Sequence, residues 1–330
     1  MTEPIGSSTS RGRSPSRWLG TLGGVFLGAV LLVAVWAKAL DPAAFAEQIR
    51  IEGLDALLSA PTMALITLAL EAGLGLALLL GVRRLWVLVP ASLLVAFFVF
   101  LTGRAWWMSA HGWREAEACG CFGNLVQRTP AEAFWQDLLL LVPALLLAYL
   151  GREGTARFPA IRVAVVAVIT AAVALFAWKA PDLPLDDLAT RLRPGVSIEK
   201  LCAGGGEEAV CLDTVAPELK QGEHLVVLAK LDDPALEKAV DELNAYADRG
   251  GDLWLLSASP AEQHRAFFWR WGPAFEVVEA PEPLLRPLYR RLPRAFRVRD
   301  GRVIETWAGL PLTQLAAGEP AHELSQLESP

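Results

Sequence analysis

The sequence predicts a helical membrane bundle followed by a soluble α/β domain, and three observations carry that reading. Hydrophobic residues make up 53% of the 330-residue chain and charged residues 20%, with a mean hydropathy of +0.36. That is too apolar for an ordinary soluble protein of this length. Apolar runs long enough to cross a bilayer follow one another up to Trp178. Beyond them the apolar runs shorten and alternate with charged helical segments, as strands and amphipathic helices do.

Residues 1–17 are rich in Ser, Gly, Pro and Arg and have no apolar face, so a disordered cytoplasmic tail is expected there. The spans then run at about Trp18 to Leu40, Pro61 to Gly81, Leu85 to Gly103, Phe134 to Leu150 and Ile161 to Trp178. Each must be helical, because lipid offers no partners to backbone polar groups. Ala37-Lys38-Ala39 imitates the cleavage site of a signal peptide, but the length of the first run favours an uncleaved anchor. Arg11, Arg13 and Arg17 precede the first span, Arg83 and Arg84 separate the second and third, and Arg152, Arg157 and Arg162 separate the fourth and fifth. By the positive-inside rule these segments are cytoplasmic. The Asp41–Ala60 loop carries Asp41, Glu47, Glu52 and Asp55 against Arg50, and the Arg104–Ala133 loop mixes both signs, so both are expected outside. The N-terminus is then cytoplasmic and the C-terminal domain periplasmic, on a multi-pass protein of the bacterial cytoplasmic (inner) membrane.

Residues 18–151 are read as a four-helix membrane domain, 152–180 as the fifth transmembrane helix, 181–193 as a linker and 194–330 as the extracytoplasmic domain. Pro181, Pro184 and the acidic stretch Asp182 to Asp187 end the fifth helix. His224 to Lys230 reads as a buried strand, and Pro234 to Arg249 as a helix with Leu236, Val240 and Leu243 on one face. A strand at Asp252 to Ser257, a helix at Pro260 to Trp271, a short strand at Phe275 to Val278 and a helix at Pro281 to Arg290 follow. A hairpin closes the series, with strands at Ala295 to Val298 and Val303 to Trp307 around an Asp300-Gly301 turn, and a last helix follows it. That order, with Pro293 just before the hairpin, is the order of a thioredoxin-like domain. It predicts a cis peptide bond before Pro293.

The chain has four cysteines, all expected in the compartment where disulfides persist. Cys119 and Cys121, in Cys119-Gly120-Cys121-Phe122-Gly123, are one residue apart. A bridge at that spacing closes a very small ring, so it is expected to be strained and easily reduced, which suits a working redox pair better than a brace. A static disulfide and unpaired thiols are the plainer alternatives. A metal site is disfavoured, since two thiols and an irregularly spaced His111 make a poor ligand set. Cys202 and Cys211 flank a Gly-rich stretch, which suits both a structural staple and a pair that exchanges with Cys119 and Cys121. Glu71 lies in the middle of the second span, where a charged carboxylate costs about 2.5 kcal/mol or more, so it is expected to be neutral, paired or beside a polar cavity. Proton handling and helix packing both fit it. Lys38, near the outer end of its helix, is expected to snorkel, and Asp41-Pro42 to stop that helix. Trp106, Trp107 and Trp113 read as anchors at the outer interface.

Lys38-Ala-Leu-Asp41-Pro42-Ala-Ala-Phe45, then Glu71-Ala-Gly73, then Cys119-Gly-Cys-Phe-Gly123 resemble, in order and spacing, the MauE family of methylamine-utilisation membrane proteins, within the broader DoxX-like group. The resemblance covers roughly residues 18–151. It implies a four-helix membrane bundle associated with disulfide formation in exported proteins, including the disulfide-rich small subunit of methylamine dehydrogenase. The soluble part resembles the thioredoxin-like extension of some DoxX-like proteins, which also carry a Cys pair ahead of the first strand and a Pro before a final hairpin.

One departure bears on function. A catalytic thioredoxin carries Cys-x-x-Cys at the start of the helix after its first strand, where the helix N-terminus lowers the thiol pKa. Here that stretch reads Leu231-Asp-Asp-Pro-Ala-Leu-Glu237. Two functions are therefore expected to compete. One is a membrane thiol-disulfide redox protein working through Cys119 and Cys121 for the maturation of exported proteins. The other is a non-enzymatic membrane chaperone or assembly scaffold whose thioredoxin-like domain binds clients. No cofactor motif is evident; a quinone in the bundle is a candidate electron acceptor, with Glu71 handling its protons. The expected partners are the lipid bilayer and an exported cysteine-containing client, and no nucleic acid.

Overall fold

The computed structural model describes residues 15–56, 58–112, 128–152, 160–203, 209–312 and 315. They fall into two compact units. One holds the chain up to Trp36, from Leu65 through the following helix pair, and from Pro130 to Phe176; the other holds Ala37–Ala64 and the chain from Ala177 onward.

The first unit is built from α1 (Pro15–Leu40), α3 (Ala60–Leu79), α4 (Leu85–Ala110), α5 (Pro130–Leu150) and α6 (Ala160–Lys179). These 5 helices are long and apolar enough to cross a membrane. Apolar side chains gain little from meeting one another in lipid, so close backbone packing must hold such helices together. Helix α1 does this with glycine. A Cβ on Gly20 would lie 2.2 Å from the Gly151 Cα, and one on Gly28 would lie 2.6 Å from the Gly75 carbonyl oxygen. Leu27 and Leu31 of α1, Leu74 and Leu78 of α3, Leu88 and Leu94 of α4 and Leu141 of α5 form one buried cluster. Ser92 and Tyr149 link α4 to α5 through their hydroxyls at 2.9 Å. Helix α6 contributes little to this core: Ile161, Val168 and Leu175 are 70, 68 and 58% exposed, a face suited to lipid.

The Asp41–Ala60 segment is not simply a loop. It contains α2 (Pro42–Ile51), whose N-terminus is capped by the Asp41 side chain. Asp41 therefore starts a helix as well as following one, and Pro42 occupies the first turn, where its missing N–H costs nothing. Helix α4 also runs on to Ala110, so Trp106 and Trp107 are helical.

In the second unit, β3 (Glu223–Leu228), β4 (Leu253–Ser257), β5 (Glu276–Glu279), β6 (Arg294–Arg299) and β7 (Arg302–Trp307) form one sheet in the order β5-β4-β3-β6-β7. Strands β3, β4 and β5 are parallel; β6 and β7 run antiparallel as the closing hairpin. Asp300 and Gly301 take positive φ, 48° and 73°, in its turn. Side chains alternate across β3: Val226 and Leu228 join the core on one face of the sheet, and Leu225 and Val227 the core on the other. Helix α9 (Pro234–Asp248) buries Leu236, Ala239, Val240 and Leu243 on this second face, and α10 (Ala261–Trp271) adds Phe267. This is a thioredoxin-like fold.

Two sequence expectations change here. Pro281 to Arg290 is not one helix: α11 spans Glu282–Leu285 and a 3-10 turn takes Arg286–Leu288, because Pro287 cannot supply the N–H a longer α-helix requires. Residues 181–193 do not behave as a free linker. They include α7 (Asp186–Ala189), and Thr190 and Leu192 are fully buried. Arg294, itself fully buried, donates to Thr190 Oγ1 at 2.6 Å, the Leu288 carbonyl at 2.7 Å, Asp187 Oδ1 at 3.0 Å and the Leu192 carbonyl at 3.2 Å. Composition suggested a spacer; one distant arginine makes the segment part of the fold.

Ahead of the sheet, β1 (Cys202–Ala203) pairs antiparallel with β2 (Val210–Cys211), and α8 (Leu212–Val215) follows directly. The last helix expected after the hairpin falls largely outside the described residues.

Candidate redox site

The position of a thioredoxin's cysteines is occupied here by a closed polar turn. Asp233 caps α9, its Oδ1 accepting from the Ala235 N–H at 2.8 Å. The Leu231 N–H donates to Ser259 Oγ at 3.2 Å, and the Ser257 hydroxyl donates to Ser259 Oγ at 3.0 Å. Both serines are buried. They fix the turn after β3 to the end of β4, and their hydroxyls are engaged in that task. Sequence reasoning passed over these serines; the signal available was Ser-Ala-Ser at the end of a buried strand. The Leu292–Pro293 peptide bond, in the segment that leads into β6, is cis. The framework of a thioredoxin site is present, and without a thiol this turn offers no nucleophile for disulfide exchange.

Sulfur lies elsewhere. Cys119 and Cys121, together with Trp113, fall outside the described residues. Cys202 and Cys211 are joined as a disulfide and face each other across the β1–β2 pair. Each is only half-buried, whereas Leu201, Ala203 and Leu212 beside them are buried in the sheet's core. The Leu212 N–H donates to the Leu201 carbonyl at 2.9 Å, and the Arg191 guanidinium donates to the Cys202 carbonyl at 2.8 Å.

Lys38 and Asp41 lie three residues apart at the corner between α1 and α2. Lys38 is 2% exposed, its Nζ lying 4.8 Å from the centre of the Phe45 ring, so it is sequestered rather than extended toward water. Asp41 Oδ1 accepts from the Ala44 N–H at 3.1 Å. Burial pushes the Asp41 carboxyl above the ordinary carboxylate value; the Ala44 hydrogen bond and the charges of Arg286 and Arg290 draw it down, and Asp186 opposes them. Arg290 in turn donates to the carbonyls of Ala180 at 2.7 Å and Leu183 at 3.1 Å, just past the end of α6.

Glu71 belongs to the other unit and is fully buried in α3. On another face of that helix an apolar cleft of about 430 Å³ runs between α3 and α6, lined by Ala69, Gly73, Ala77, Trp86, Ala167 and Ala171. Trp106 stacks on Phe134 at 5.1 Å between ring centres and also meets Trp135 at 5.8 Å, tying the end of α4 to the start of α5.

No curated protein matches the chain. Among solved structures, a protein assigned as thiol:disulfide interchange protein DsbE from Chlorobium tepidum is 16% identical, with 41% of this chain and 94% of that one covered and a TM-score of 0.30. The bacterioferritin comigratory protein of Xanthomonas campestris is 17% identical, with 39% and 96% covered and a TM-score of 0.28. The apo Sco1 protein of Thermus thermophilus is 17% identical, with 39% and 88% covered and a TM-score of 0.24. The membrane helices have their own relation: residues 16–150, from α1 through α5, match the family described as methylamine utilisation protein MauE.

Proposed function

We propose that this multi-pass membrane protein is a thiol-disulfide redox protein that supports disulfide formation in exported proteins. The observation that carries the reading is the joining, in one chain, of a MauE-matching membrane segment to a thioredoxin-like domain whose own cysteine position is filled by the Asp233 cap and the Ser257–Ser259 bonds. Thiol chemistry then falls to Cys119 and Cys121, whose spacing favours a bond that is easily reduced. In this reading the arginine distribution orients the protein in the bacterial inner membrane with the loop and the thioredoxin-like domain on the periplasmic side. The client is an exported cysteine-containing protein, and methylamine dehydrogenase maturation, in the sense of the MauE description, is one such role. A quinone is the candidate terminal acceptor, with Glu71 as its proton-handling group.

The filled thioredoxin position also favours a second reading, in which the domain only binds clients and the bundle is a scaffold. One experiment separates them. Cys121→Ser leaves Cys119 without its neighbour, and in intact spheroplasts this variant is expected to accumulate mixed disulfides with exported proteins that a membrane-impermeant reductant releases. Cys119→Ser/Cys121→Ser traps none. A Cys121→Ser variant without mixed disulfides, in cells that still mature every exported client, refutes the redox reading and leaves the scaffold.

A further inference from the structure

We infer that the Cys202–Cys211 disulfide is the exchange site of the soluble domain, standing in for its missing Cys-x-x-Cys, and is not a staple. The inference rests on the thiol-disulfide reading above and adds a second pair through which clients exchange.

Three observations support it. First, the fold around the bond closes without it. Leu201, Ala203 and Leu212 are buried in the core, the Leu212 N–H holds the Leu201 carbonyl at 2.9 Å, and Arg191 holds the carbonyls of Cys202 at 2.8 Å and Lys200 at 3.4 Å. A disulfide acts mainly on the unfolded chain, so with these contacts in place the bond can open while the native backbone stays where it is. Second, both sulfur-bearing residues are half-buried while Leu201, Ala203 and Leu212 beside them are enclosed, and exchange requires a thiolate to reach a disulfide sulfur. Third, β1 packs on α11, and the Arg191 N–H donates to the Pro287 carbonyl at 2.9 Å in the turn that follows. That same turn leads to Arg290, which binds the carbonyls of Ala180 and Leu183 past the end of α6. The bond is thus carried on the part of the domain that also holds Ala180 and Leu183.

Each exchange balances by itself, and the two electrons that reach Cys119 and Cys121 pass on to the quinone-class acceptor proposed above. A client thiolate attacks one sulfur of the Cys202–Cys211 bond, and the other sulfur leaves as thiolate. The client's second thiol then attacks the mixed disulfide. The client departs with a disulfide, and Cys202 and Cys211 hold the two electrons and two protons as thiols. A Cys119–Cys121 disulfide restores the bond by the same exchange and itself becomes the dithiol.

The test uses the full chain with Cys119→Ser/Cys121→Ser, where Cys202 and Cys211 are the only thiols left. In a dithiothreitol series the bond is expected to open and re-form reversibly, followed by alkylation, with the near-UV circular dichroism of the folded domain retained. In cells, the pair is expected to be largely oxidised in the parent and at least tenfold more reduced in the Cys119→Ser/Cys121→Ser variant. A bond that opens only when denaturant unfolds the domain overturns the inference. Failure of the Cys121→Ser trap beside a reversible Cys202–Cys211 bond removes the role of the membrane loop and leaves the soluble exchange site standing.

Discussion

Replacing Arg294 by Met should unfasten residues 186–192 from the thioredoxin-like domain. The guanidinium is fully buried and donates to two backbone carbonyls, a threonine hydroxyl and Asp187. Burial lowers its pKa, and the nearby carboxylates of Asp186 and Asp187 oppose that shift, so it stays charged as an arginine does in proteins. Met fills similar volume but leaves the Leu288 and Leu192 carbonyls buried without this donor, at about 1–3 kcal/mol each. The desolvation that Arg294 itself bears is relieved, which offsets part of the loss. A net destabilisation of about 2–4 kcal/mol follows, or roughly 6–15 °C in Tm for a domain of this size. The assay is thermal unfolding of the full-length protein in detergent, read by near-UV circular dichroism, with limited proteolysis around Asp186 to Arg193 as the local readout. Arg294→Lys should recover only part, since one ammonium cannot reach all these acceptors. A Tm within 2 °C of the parent, with the segment still protected, would refute the assignment of Arg294 as the clamp.

The Asp41 corner predicts a pH dependence. Because burial raises its carboxyl above 3.8, the folded state holds this proton more tightly than the unfolded chain. The site's contribution to stability is therefore fullest below the ordinary value and declines as pH rises through the raised one. Asp41→Asn keeps the cap on α2 and should flatten that decline in melts between pH 4 and 7, whereas Asp41→Ala should cost about 1 kcal/mol through the lost cap. In the bundle, Gly28→Leu drives a side chain into the Gly75 backbone and should cost several kcal/mol, about 1–3 kcal/mol of it from overpacking alone. A detergent melt unchanged by that substitution would show that α1 and α3 do not meet there.

Features whose physics is local or periodic are legible in the sequence. Lipid forces apolar runs to be helical, so the spans could be read from hydropathy. The alternation of β3 and the face of α9 are written in the spacing of Leu225, Val227, Leu236, Val240 and Leu243, and Asp300-Gly301 announces its turn through conformations few other pairs adopt. The absence of cysteine from Leu231 to Glu237 is a fact of the sequence alone. Features that depend on partners far along the chain are set by the folded arrangement. Residues 181–193 have a linker's composition and became core because Arg294, roughly a hundred residues later, satisfies them. Lys38 has the position of a snorkelling residue and is enclosed against Phe45. Cys202 and Cys211 admitted two readings in the sequence; the structure adds that Leu201, Leu212 and Arg191 close the same loop without sulfur, and the exchange proposal rests on that. Composition records what a residue can do, and burial and hydrogen bonding from distant segments select which of those it does.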